Sequence, residues 1–206
     1  MKLSVFLTAV CALASALLVA CGGVPLSSMP RLMALQGELL SANPAEFMLA
    51  IQTDESLVPP PGSTPTLNID IRPREEGAFE RVERKLPMRV AVAAAPAGVP
   101  RAGSGRRWMV YSFDAESQAE LARFQSSFKR IQAERQGKSG GSLSVGIAQD
   151  GLAADDPRLA ATRWESWLQT KRQAGFYELW SGTLGELKAQ AANAAKAEKA
   201  AAAAAR

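Results

Sequence analysis

Hydrophobic residues return at every second position in several short runs along this chain. Phe47, Leu49 and Ile51 alternate with Met48, Ala50 and Gln52; Leu67, Ile69 and Ile71 alternate with Asn68, Asp70 and Arg72; Leu143, Val145 and Ile147 repeat the pattern. A period of two is the mark of a half-buried strand, because successive side chains leave opposite faces. A turn at Glu75-Glu76-Gly77 leads into residues 79–86, predicted to pair with the 67–72 strand as a hairpin. Residues 88–95 predict a further short strand, residues 108–113 a buried one with aromatics on both faces, and residues 176–180 a last one. The Pro- and Gly-rich stretches 58–62 and 96–105, and residues 150–157, are predicted as loops.

Two segments change to a helical period. Leu32, Leu35, Leu39 and Leu40 predict a helix over 29–40, stopped at Ser41-Ala42-Asn43-Pro44 because the residue before proline is pushed out of helical geometry. Asp114 is placed to cap a second helix in which Leu121, Phe124, Phe128 and Ile131 share one side, ending by Gln136-Gly137. Trp164 and Trp167 flank a segment that neither period assigns. The sum is an α+β fold, a mostly antiparallel sheet with one main helix packed on one face. It occupies residues 29–182 as a single domain, and residues 183–206 form an Ala/Lys-rich tail. Alanine favours helix, but the tail has little apolar face to bury, so a partly helical, solvated extension is expected. The sharper alternative is a contact arm whose Lys188, Lys196, Lys199 and Arg206 reach an anionic wall polymer or membrane.

Ahead of the domain lies an apolar run, residues 3–18, preceded by Lys2 and followed by small residues, the layout of a secretory signal. A spanning helix needs about 20 apolar residues, and Cys21-Gly22-Gly23 with Pro25 gives no continuation. Leu18, Val19, Ala20 and Cys21 resemble the bacterial lipobox. That resemblance implies a signal peptide over residues 1–20, cleavage before Cys21, a diacylglyceryl group on its sulfur and a lipidated tether over residues 21–28. Gly22 after the cysteine implies, by the sorting rules of such proteins, the outer membrane, facing the periplasm. Each buried methylene of an attached acyl chain contributes about 0.8 kcal/mol, so two or three chains hold firmly. With Val24-Pro25-Leu26-Ser27-Ser28, and Asn43-Pro44-Ala45 entering a strand, the chain looks like uncharacterised proteobacterial lipoproteins with a signal, a lipobox and a small α+β body. No activity and no catalytic residue comes with that likeness.

Charge and composition then narrow the chemistry. Lys and Arg number 24 against 20 Asp and Glu, a net +4, but the signs are interleaved, as in Glu80-Arg81-Val82-Glu83-Arg84-Lys85. Such mixing is a solvated surface, not a polyanion track, so no nucleic-acid partner is expected. The chain has no histidine, which removes His-based triads, His metal sites and imidazole proton shuttles. Cys11 leaves with the signal and Cys21 is the lipid attachment, so thiol nucleophiles, thiolate metal sites and an internal disulfide go too. No cofactor is implied.

Three motifs tempt and fail. Ser126-Ser127-Phe128-Lys129 with Lys138-Ser139-Gly140 mimics a penicillin-binding-protein signature, but the spacing is wrong and Ser126 lies opposite the apolar helix side. Gly137-Lys138-Ser139 mimics a P-loop end, with Gln132 where its first glycine should stand. Asp150-Gly151 with Asp155-Asp156 lacks the ligand order of a calcium loop. Arg101, Arg106 and Arg107 read as a solvated loop; the alternative is contact with lipid phosphates. The expectation is a membrane-anchored lipoprotein with a non-catalytic binding or envelope-assembly role, its partner an envelope protein or peptidoglycan. The alternative is a periplasmic carboxylate-type hydrolase acting on glycan. An enzyme requires converging carboxylates in a pocket; a binding module, an apolar patch or an open sheet edge; a lipid carrier, a greasy cavity between sheet and helix.

Overall fold

Pro87 lies in the middle of the longest strand, where sequence rules place a break, and that strand turns the sheet. The computed structural model describes residues 38–73, 79–92, 97–134, 141–149 and 157–204. Its strands are β1 (Met48–Asp54), β2 (Thr66–Pro73), β3 (Val82–Val92), β4 (Arg106–Phe113), β5 (Gly141–Ala148), β6 (Arg163–Gln169) and β7 (Tyr177–Thr183). They form one sheet of order β5-β2-β3-β4-β1-β6-β7, antiparallel at every pairing. Two strands predicted over 79–86 and 88–95 are therefore one. Residues Val82 to Pro87 of β3 pair with β2, and Met88 to Val92 pair with β4. Proline has no N–H to give a ladder, and the changeover between two neighbours is where that loss is tolerated. The Pro87 carbonyl accepts from Ser117 Oγ at 2.9 Å, and the Met88 N–H donates to the Pro65 carbonyl at 2.9 Å. A strand that changes partners in mid-length curls the sheet, so that Leu67, Ile69 and Ile71 of β2 share one core with Leu49 and Ile51 of β1.

α1 (Ala115–Glu134) closes that core. Asp114 caps it as expected, its Oδ1 accepting from the Ser117 N–H at 2.8 Å, and Leu121, Phe124 and Phe128 turn inward; the Ile131 side chain lies outside the description. Phe47 stacks on Phe113 with ring centroids 5.1 Å apart, and Leu39, Phe47, Phe113 and Leu121, at most 1% exposed, pack at the contact of sheet and helix. Buried Gln125 ties α1 to the chain entering β1, donating through Nε2 to the carbonyls of Leu39 (2.7 Å) and Ala42 (2.9 Å). Of the helix predicted over 29–40, Glu38 and Leu39 are helical and residues 29–37 lie outside the described residues.

β1 is not the half-buried strand that alternation predicts. It sits between β4 and β6, and Leu49, Ala50, Ile51, Gln52 and Thr53 are all buried. Its outer face is covered by a second cluster of Ala50, Trp108, Val110 and Phe176, packed by Met48, Val99 and Trp167. The loop before β4 supplies Val99, and the Pro100 carbonyl accepts from Trp108 Nε1 at 3.0 Å.

The unassigned tryptophan segment is β6. Trp164 faces the main core, and Trp167 faces the outer cluster, edge-on to Trp108 with centroids 6.4 Å apart. A bulge in the β6–β7 pairing leaves Leu179 without an opposite residue, which lets Tyr177 and Trp180, three positions apart, both face the core. α2 (Leu184–Ala204) follows directly. Thr183 and Glu186 cap it reciprocally: Glu186 Oε2 accepts from the Thr183 N–H at 2.7 Å, and Thr183 Oγ1 accepts from the Glu186 N–H at 3.2 Å. The segment expected to begin a solvated tail at 183 thus opens inside the domain, with Leu184 1% exposed and Leu187 packed on the core. Beyond it the described side chains from Ala189 onward are exposed.

Candidate functional site

The most organised charged group on the outer face joins the ends of β1, β4 and β6. Antiparallel register sets Glu165 opposite Gln52, and Arg106 opposite Asp54 one step further along. Glu165 Oε1 accepts from Arg106 (terminal nitrogen, 2.9 Å) and from Arg163 Nε (2.8 Å). Arg106 also donates to the Gln52 carbonyl at 3.2 Å and the Arg163 carbonyl at 3.4 Å. Arg106 and Glu165 are only 16% and 14% exposed, whereas Arg163 is 66% exposed. Burial alone would raise the Glu165 pKa, but the hydrogen bonds and charges of Arg106 and Arg163 more than offset it and hold the carboxyl below its ordinary value.

Next to this trio, where β7 runs into α2, an open recess of about 320 Å³ is lined by Arg163, Ser181, Gly182 and Thr183. Register places Arg163 opposite Thr183 and Glu165 opposite Ser181 on that face. Gly182 points the other way, toward the core. A Cβ there would lie 2.6 Å from the Trp180 ring and 2.8 Å from Glu186 Oε2, so both the ring and the cap depend on glycine.

The remaining displaced carboxylates are also engaged. Arg81 grips Asp70 at two points (2.7 and 3.0 Å) and Arg72 adds a third (2.6 Å); these contacts lower its pKa. Asp54 is lowered by the Ser56 hydroxyl and N–H, and Asp114 by the Ser117 N–H that it caps. Tyr111 is raised, by burial. Among the described residues no three Asp or Glu side chains come together as a metal site would need.

The residues singled out from sequence fare unequally. Cys21, Leu18, Val19 and Ala20 lie outside the described residues, as do Lys138, Ser139, Asp150, Gly151, Asp155 and Asp156. Ser126 and Lys129 are exposed on α1, and Ser126 Oγ donates to the Ala122 carbonyl at 2.9 Å, a bond within its own helix. Arg106 and Arg107 are not in a solvated loop: they open β4, half-buried, and Arg107 donates to the Leu57 carbonyl at 3.0 Å. Arg101 stays exposed in the loop. Sequence reasoning passed over Glu165 and Arg163. The signal was Trp164-Glu165-Ser166-Trp167, where tryptophans three apart on a strand need opposite faces, leaving a glutamate on a partly buried one.

The fold defines the class, a sheet-dominated α+β protein in which the described residues form seven antiparallel strands with one main helix against the inner face. No protein-family model, no curated protein and no solved structure matches this chain.

Proposed function

We propose that this is a lipid-anchored protein of the bacterial outer membrane, facing the periplasm, that binds an envelope partner and catalyses nothing. The anchor rests on the lipobox resemblance of Leu18, Val19, Ala20 and Cys21 behind an apolar leader. The observation that carries the non-catalytic half is the state of the carboxylates. A glycosidase needs one carboxyl group kept protonated near neutrality beside another kept ionised. Among the described residues, each carboxylate with a displaced pKa (Asp54, Asp70, Asp114 and Glu165) is displaced downward, by partners that use its oxygens for turns, caps and ion pairs. Binding is favoured by the sheet edges: β5 and β7 each pair with one neighbour, so each has one side open to an added strand among the described residues.

Intact-mass measurement of the membrane-extracted protein tests the anchor. The expected product starts at Cys21 and carries a diacylglyceryl thioether, and Cys21→Ser releases the protein from the membrane fraction. A chain retaining residues 1–20 with a free thiol overturns the reading, and so does release of reducing ends from glycan by the purified protein.

A further inference from the structure

We propose that the recess beside Arg163 is a binding site for the free carboxylate of a peptide, an inference that rests on reading this protein as a binding module and names the ligand chemistry of one site on it. Arg163 is braced before any ligand arrives. Its Nε donates to Glu165 Oε1 at 2.8 Å, and Glu165 is fixed in turn by Arg106 at 2.9 Å. Both terminal nitrogens of Arg163 are left without a partner among the described residues, on a side chain 66% exposed that lines the recess. An ordinary surface arginine loses much rotamer freedom on binding; one clamped at Nε has already lost part of it. The two terminal nitrogens present the parallel donors that match a carboxylate's two oxygens. Ser181 adds a hydroxyl to the lining.

Charge selects the kind of anion. Arg106 is matched by Glu165, with Asp54 also acting on it, so the Arg163 terminal nitrogens supply the one positive charge at the recess. Glu186, which accepts from Thr183 of the lining, stands against a second negative charge. That field suits a single negative charge and opposes a dianion such as a phosphomonoester. Position selects the peptide. The Ser181–Thr183 lining belongs to β7, an edge strand among the described residues, whose second side can pair with the amides of an extended ligand while Arg163 takes its terminal group.

The test is an amide chemical-shift titration of the full chain, extracted from membranes in detergent. The probes are acetyl-Ala-Ala-Ala with a free carboxylate, the same peptide as its terminal amide, and inorganic phosphate. The free acid should give saturable shifts at Arg163 and at Ser181, Gly182 and Thr183. The amide and phosphate should each bind about tenfold more weakly or worse, the loss expected when a charge-assisted bidentate contact is removed. Arg163→Gln should lose the same factor with an unchanged thermal unfolding midpoint, and Ser181→Ala a few-fold. Equal affinity for acid and amide, tighter binding of phosphate, an unaffected Arg163→Gln, or no saturable shift overturns the site. Failure here leaves the anchored, non-catalytic reading standing, because the mass of Cys21 and the glycan assay decide that separately.

Discussion

Replacing Glu165 by Gln keeps the shape of the Arg106–Glu165–Arg163 cluster and removes its only negative charge. Arg163, at 66% exposure, loses little, because water already screens it. Arg106 loses most, since at 16% exposure it keeps a guanidinium charge against a neutral amide. Breaking a fully buried pair costs ~3–5 kcal/mol. Residual solvent contact and the amide oxygen, which still accepts one bond, reduce that to about 2 kcal/mol here. Urea unfolding followed by tryptophan fluorescence measures it, since Trp108, Trp164 and Trp180 are at most 6% exposed.

The pH dependence makes the reasoning refutable. The Glu165 pKa is lower in the folded chain than in the unfolded one, so its stabilisation is full above the unfolded value and is lost as pH falls through the folded value. Protonated glutamic acid and glutamine are both neutral. The gap between wild type and Glu165→Gln should therefore be full at neutral pH and close below the folded pKa, while Asp70 and Asp114, which act on neither Arg106 nor Arg163, contribute equally to both proteins and cancel. A gap of the same size at neutral and strongly acidic pH would show that Glu165 acts through packing and refute the electrostatic account.

Two substitutions test the packing around the site and the helix. Gln125→Leu keeps volume but strips the donor from two buried carbonyls, and should cost about 2–3 kcal/mol in the same urea experiment; a loss below a few tenths would mean that water replaces the amide. Gly182→Ala forces the Trp180 ring and Glu186 to move, and should cost about 1–3 kcal/mol with a shifted tryptophan emission; wild-type stability would mean that the ring gives way freely.

Sequence patterning was informative where one face of a strand meets water. β2 is the clean case: Leu67, Ile69 and Ile71 are at most 1% exposed and alternate with partly exposed Asn68, Asp70 and Arg72, as the period of two requires. The α1 side of Leu121, Phe124 and Phe128, and its Asp114 cap, were equally legible because both depend on local spacing. Patterning was weaker for strands whose environment is set by distant chain. β1 is buried on both faces because β4 and β6 flank it and Val99 and Phe176 reach over it, and nothing in Leu49-Ala50-Ile51-Gln52 encodes those neighbours. The division into strands 79–86 and 88–95 failed for a similar reason: nothing local foresees one strand that exchanges partners at Pro87. The Leu179 bulge hid the inward pair Tyr177 and Trp180 by breaking the period.

The candidate site follows the same logic. Arg106 and Glu165 are 59 positions apart, and each has an ordinary explanation alone, a charge after a glycine loop and a glutamate between tryptophans. Only the shared neighbour β1 brings them together. Because β1 is covered on both faces, a partner has no access there, and the Arg106–Glu165 pair beside it joins β4 to β6. Arg163 differs because it stands on β6, next to the edge strand β7, with Nε committed to Glu165 on a side chain that is largely exposed. An edge lets one group be fixed by the fold on one side and left to a partner on the other, so the recognition proposed above falls at the β6–β7 margin and not at the aromatic centre.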